Sequence, residues 1–201
     1  TSRSSASAAA GSSASPTRCW PRRRTPRSRR RSAGPFTPGS QAYSIVAGPD
    51  GNLWFTEYTG MRIGVFNATT KMATEFGPLQ SPATSIAAGP DGNVWFAERA
   101  LDGSSTVIGR VTPAGVITEY KATPVIGAVR AMSPGADGNV WFVKDGQGGP
   151  AVGRVDPATG AATLFSSGLN GAFTLFGGMT LGGDGNVWFT SYFDGLIGRV
   201  T

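Results

Sequence analysis

The stretch Gly48-Pro49-Asp50-Gly51-Asn52-Leu53-Trp54-Phe55 decides the fold, because it returns as GPDGNVWF over 89–96, GADGNVWF over 135–142 and GGDGNVWF over 182–189. The aspartates Asp50, Asp91, Asp137 and Asp184 are spaced by 41, 46 and 47 residues. That is the period of propeller blades rather than of short solenoid repeats. Each copy has a downstream echo: Ile63-Gly64-Val65, Ile108-Gly109-Arg110-Val111, Val152-Gly153-Arg154-Val155 and Ile197-Gly198-Arg199-Val200. Three units close on Thr74-Glu75-Phe76, Thr118-Glu119-Tyr120 or Thr163-Leu164-Phe165, and the fourth has no such segment before Thr201.

One unit can be read outward from the motif. Ser44-Ile45-Val46-Ala47 is short and apolar, as an inner strand buried on both faces would be. Asp50-Gly51 is expected to supply the positive-φ positions of a two-residue hairpin turn. Leu53 to Glu57, rich in aromatic and β-branched residues, reads as the second strand. Arg62 to Phe66 and Met72 to Phe76 supply the third and fourth. Four antiparallel strands per ~45 residues make a propeller blade. The fold class is therefore all-β, a β-propeller of four-stranded antiparallel blades over 35–201, with about four blades at 43–76, 85–120, 129–165 and 177–200. Four blades, the last lacking its outer strand, are not expected to close a ring.

Composition separates the two ends of the chain. Residues 1–34 contain nine of the 18 basic residues and none of the 12 acidic ones, so the net charge of +6 belongs to this Arg/Ser/Ala-rich segment. With little to bury, the segment is expected to be a disordered tail. A non-native coding segment and a phosphate-binding basic arm are the other readings. The repeat region is mildly acidic, which argues against a nucleic-acid partner. The single cysteine, Cys19, permits no intrachain disulfide. No apolar run reaches the roughly 18–20 residues of a membrane span. No hydrophobic region follows the early arginines as in a signal peptide, so the cytoplasm is the slightly favoured but unfixed location. The first residue is Thr, and the chain is expected to be part of a longer protein.

Strand order gives a map of faces. The Asp-Gly turns gather on one face, and the ends of the second strands converge with the starts of the inner strands on the opposite, linker face. The aspartates read first as turn formers and only second as a ring of metal ligands. The repeated tryptophans Trp54, Trp95, Trp141 and Trp188 read as interblade packing. The motif glycines are expected to allow close sheet approach, and Arg110, Arg154 and Arg199 read first as surface or interblade bridges and second as anion binders. Three residues after each Trp come Glu57, Glu98, Lys144 and Ser191, a position that varies while its surroundings repeat. A carboxylate there could hold a divalent cation or take a proton, or simply end a strand. The absence of histidine removes Ser-His-Asp and Cys-His sets and His-based zinc sites.

GPDGNLWFTE (48–57) and GPDGNVWFAE (89–98), followed by IGxV and TEF or TEY, resemble the streptogramin B lyase family, also called virginiamycin B lyase. The resemblance implies a seven-bladed propeller and a Mg²⁺-assisted lyase that opens a cyclic depsipeptide antibiotic by elimination across its ester bond. It implies that the acid ending WFxE helps hold the metal, which here matches Glu57 and Glu98. It also implies a histidine base two residues before the inner-strand Ile or Met, where this chain has Tyr43, Thr84, Arg130 and Gly177. No residue inherits the base role, so no catalytic residue is assigned. The chain is expected to be inactive alone, with Tyr43 and Lys144 as ligand-binding candidates. The alternative is a non-catalytic propeller binding a small ligand or a protein on the linker face. Self-association to complete the ring is a further expectation.

Overall fold

A computed structural model describes residues 37–100, 106–121, 127–146, 148–166, 169, 176–192 and 195–200. The 1–34 tail and Cys19 lie outside the described residues. No helix occurs among those described, and none there is long and apolar enough to cross a membrane. Among the described residues, fifteen strands form four consecutive antiparallel sheets. Sheet 1 is β1 (Ala42–Ala47), β2 (Leu53–Glu57), β3 (Arg62–Asn67) and β4 (Met72–Phe76). Sheet 2 is β5 (Ala83–Ala88), β6 (Val94–Arg99), β7 (Thr106–Val111) and β8 (Ile117–Lys121). Sheet 3 is β9 (Ala128–Pro134), β10 (Val140–Asp145), β11 (Ala151–Val155) and β12 (Ala162–Phe165). Sheet 4 has only β13 (Phe176–Leu181), β14 (Val187–Ser191) and β15 (Leu196–Val200). Among the described residues, sheets 1–3 have four strands each and sheet 4 has three.

The turn chemistry differs from expectation in a way that explains the motif. Gly48 N donates to Asn52 O at 2.8 Å and Gly51 N to Gly48 O at 3.1 Å. The loop therefore has three residues, Pro49-Asp50-Gly51, and only Gly51 is left-handed, at φ 77°. This is a β-turn followed by a left-handed glycine. It frees the aspartate carboxylate for other work. Asp50 Oδ1 accepts from Trp54 Nε1 at 2.9 Å and from Asn52 N at 3.1 Å, while Oδ2 accepts from Asn52 Nδ2 at 2.8 Å. The same three bonds recur at Asp91, Asp137 and Asp184. A Cβ at Gly48 would overlap the Trp54 indole, so the first glycine of the motif makes room for the ring.

Alternation along each second strand sends Trp to one face of the sheet and Phe to the other. Phe55, Phe96, Phe142 and Phe189 each lie over the cross-strand glycine of the downstream echo, where a Cβ would collide with the ring. The close approach made by these glycines is thus within a sheet, not between sheets. On the other face Trp54 stacks on Phe76, Trp95 on Tyr120 and Trp141 on Phe165, with centroids 5.7–5.8 Å apart.

Every seam between sheets joins a Trp-side face to the Phe-side face of the next. Trp54 and Ile63 pack with Ile86, Val94 and Phe96. Trp95 and Ile108 pack with Met132, Val140 and Phe142, and Trp141 and Val152 with Val187 and Phe189. Each large side chain buried there contributes about 1.5–3 kcal/mol. Inner strands neighbour in series, β1 on β5, β5 on β9 and β9 on β13, with no comparable contact of β13 on β1. The arrangement is an open arc of propeller blades.

The inner strand of sheet 1 is a correction to the expected burial. β5 is largely buried, but in β1 Ile45 is 65% exposed. The segment 37–41 covers Glu57 and Glu75 on the Phe side of sheet 1, but no other described sheet packs there, so Ile45 of β1 stands open.

Candidate functional site

The variable position after each Trp falls at the end of the second strand, on the face that carries the motif Phe. Glu57, Glu98 and Lys144 are buried there, at 0%, 0% and 1% exposure, and Ser191 is buried too. None of them is a solvated strand end. Glu98 Oε2 accepts from the backbone N–H of Ser81 at 2.8 Å, in the segment that leads into β5. Among the described residues, neither oxygen of Glu57 nor Oε1 of Glu98 has a partner at full hydrogen-bond geometry, although Ser40 and Glu75 lie beside Glu57.

A second acid accompanies each. Glu75, on β4, takes the backbone N–H and hydroxyl of Thr37, both at 2.7 Å, and lies 3.7 Å from Arg62. Glu119, on β8, accepts from the Gln80 amide. Two carboxylates, one from the second strand and one from the fourth, thus meet the segment entering their own sheet. Burial, then the charge of Glu119, pushes the Glu98 carboxyl up to about 8. Burial, then the charge of Glu75, raises Glu57 as well, while the Thr37 bonds hold Glu75 below the usual carboxylate range. A carboxylic acid kept neutral near pH 7 can donate a proton, and once ionised it is a hard oxygen ligand. Burial lowers Lys144, against the charge of neighbouring Asp145.

The structure brings Tyr43 and Glu57 together. Both line a cavity of about 520 Å³ on the open Phe side of sheet 1, with Ser40, Ile45, Phe55 and Phe66, within the usual size of ligand pockets. Tyr43 is 65% exposed, its ring 5.7 Å from that of Tyr58. Glu98 and Lys144 do not line this cavity. Glu57 interacts with Ser40, Glu75 and Arg62, and Glu98 with Ser81, Gln80 and Glu119. Among the described residues no three of His, Cys, Asp or Glu converge as metal ligands.

Sequence reasoning missed Glu75 and Glu119, although the signal was present. Blades carrying WFxE also carry TEF or TEY, whereas the blade with Lys144 has Leu164 at that place. It also missed the Arg130–Asp145 pair, Nε to Oδ2 at 2.6 Å, which ties one of the histidine-equivalent positions to a carboxylate. The aspartate turns are accounted for by their bonds to Asn and Trp. Arg110 bridges sheets, lying 3.8 Å from Asp91 and donating to Pro157 O at 3.1 Å, and Arg154 lies 3.7 Å from Asp137.

The model of the virginiamycin B lyase family matches residues 23–201. The chain belongs to the virginiamycin B lyase family. Among solved structures it is similar to a catalytically inactive histidine-to-alanine variant of virginiamycin B lyase from Staphylococcus aureus with quinupristin. The two are 33% identical with a TM-score of 0.69, over 82% of this chain and 53% of that one. A streptogramin B lyase structure is 31% identical with a TM-score of 0.66, over 80% of this chain and 51% of that one. The chain therefore spans about half the length of these virginiamycin B lyase structures. A nidogen–laminin complex chain, 16% identical with a TM-score of 0.63 over 80% of this chain and 59% of that one, shares the fold alone. No individually curated sequence matches.

Proposed function

We propose that this chain is the scaffold part of a streptogramin-lyase-type propeller and does not itself open the depsipeptide ring. The observation that carries the reading is the absence of histidine. The inner-strand positions that would supply the base hold Tyr43, Thr84, Arg130 and Gly177. Arg130 cannot accept a proton at neutral pH, and it is engaged by Asp145. The lyase variant described above, catalytically inactive with its histidine replaced by alanine, supports the same requirement.

Mg²⁺ fits this chain through single carboxylates. It binds through one or two carboxylates and keeps several waters, and the unpartnered oxygens of Glu57 and Glu98 are donors of that kind. When bound, the ion would polarise an ester carbonyl. Glu57 would anchor it, Tyr43 would line the ligand cavity beside it, and Lys144 would place a buried amine in the second seam. The experiment is incubation with quinupristin and Mg²⁺. Elimination across the ring ester adds no atoms, so ring opening is followed by chromatographic retention and by absorbance of the new alkene. Intact quinupristin is expected, and turnover by this chain alone would refute the reading.

The second reading is a module that binds such a ligand without cleaving it. The cavity shared by Tyr43 and Glu57 favours it. Saturable quenching of protein fluorescence by quinupristin, lost in Tyr43→Ala, is its expected signature.

A further inference from the structure

We propose that Arg130, held by Asp145, anchors a subsite for an organic carboxylate on the linker face. The register of the inner strands sets Arg130 apart. Val143 pairs with Ala131 and Lys144 with Val129, so Arg130 has no residue opposite it. The other inner strands are interrupted at the same place. Thr84 lies between the paired residues Ala83 and Ser85, Tyr43 between Ala42 and Ile45, and Gly177 between Phe176 and Met179. A β-bulge re-aims its extra side chain out of the ladder. Tyr43, Thr84, Arg130 and Gly177, different in every blade, are thus residues that the fold turns away from its regular pairing.

Sheet 3 backs its bulge residue with an acid. The residue after Lys144 is Asp145, where the other blades have Tyr58, Arg99 and Tyr192. Asp145 is buried, and its Oδ2 accepts from Arg130 Nε at 2.6 Å. That bond fixes the plane of the guanidinium. Among the described residues nothing accepts a hydrogen bond from Arg130 Nη1 or Nη2, and the side chain is 36% exposed, so the outer edge of the fork is held still within reach of a ligand. Asp145 does not neutralise the fork completely, because its charge acts on Lys144 as well. The segments 122–127 ahead of β9 and 146–150 behind β10 contain no acidic residue to finish the task. With Lys144 only 1% exposed, the accessible charge is the single guanidinium, which suits a monoanion. β9 lies between β5 and β13, whose bulges carry Thr84 and Gly177, so neither neighbour brings a large side chain to the same level. Two N–H donors on a rigid plane match the two oxygens of a carboxylate, which an ammonium would meet only as a point charge.

The subsite calls on neither Mg²⁺ nor ring opening, so it and the proposed function can fail separately. The test is titration of the whole chain with sodium benzoate at constant ionic strength, followed by saturation transfer to the benzoate ring protons and by the arginine guanidinium resonances. A saturable shift is expected for one guanidinium signal, the one missing from Arg130→Gln, whose tryptophan indole resonances should stay in place. Benzamide, which has the shape without the charge, is expected to leave that signal unmoved. Arg130→Lys, which keeps the charge and loses the fork, is expected to bind benzoate roughly tenfold more weakly. No saturable shift of the Arg130 signal would overturn the proposal. So would an equal response to chloride, or benzoate binding that is unchanged in Arg130→Gln.

Discussion

Trp54 Nε1 and Asp50 Oδ1 are 2.9 Å apart, and the same indole-to-carboxylate bond spans four residues in all four blades. It joins the tip of each hairpin to the ring that fills the next seam. Asp137→Ala is expected to cost about 1–3 kcal/mol, since it leaves a largely buried indole N–H without its partner. Asp137→Asn, which keeps an acceptor oxygen, is expected to cost less. Urea midpoints of the two variants check this; equal losses would mean that the indole bond contributes little.

The same carboxylates set an acid limit. Burial opposes ionisation at Asp50 and Asp137, but the Asn and Trp bonds outweigh it and both carboxyls fall below the usual range. The bonds from Asn186 and Trp188 bring Asp184 to about 2. Groups lowered in the folded state add stability above their unfolded pKa of roughly 3.9 and lose it as pH falls through the folded value. Stability is expected to drop between about pH 4 and pH 2, and less steeply in Asp137→Asn.

Glu98 works in the opposite direction. Its carboxyl rises in the folded state to about 8, so its contribution is complete below the unfolded pKa and is lost as pH climbs toward the folded value. The slope is up to about 1.4 kcal/mol per pH unit. Glu98→Gln is expected to flatten stability between about pH 5 and pH 8, as measured by denaturant midpoints across that range.

Gly153 lies under the Phe142 ring. Gly153→Ala should therefore overpack sheet 3 by about 1–3 kcal/mol, and adding Phe142→Leu should recover part of that loss. Gly51→Ala meets open space and pays only the left-handed backbone penalty, about 1 kcal/mol. Calorimetric midpoints would rank the three.

Mg²⁺ is expected to raise the melting temperature modestly by binding only the folded state. The rise should vanish with a chelator and shrink in Glu57→Gln. An undiminished rise in that variant would remove Glu57 from the metal site.

The all-β blade architecture and strand order were legible in the sequence because a four-fold repeat reports the same local choices four times. Gly51 and the Asp-Asn pair marked the turn, although the Trp bond that its aspartate makes is a side-chain contact no local pattern displays. Glu57 and Glu98 stood out because they vary in a fixed frame, but their burial depends on Ser40 and Ser81, which belong to the segments entering each sheet. Glu75 and Glu119 were hidden as ordinary strand residues. Only the register, Gly64 opposite Glu75 and Gly109 opposite Glu119, puts them on the same face as the first pair.

The Trp-to-Phe seam also dictates how the molecule should come apart. Since each blade touches only its neighbours, stability propagates along the arc as in a one-dimensional array, with a term for each blade and one for each junction. Within the described arc, sheets 2 and 3 have a junction on either side, whereas sheets 1 and 4 have one. Amide exchange should therefore show fraying that begins in β1 and β15 and moves inward, with the slowest protons in β6 and β10.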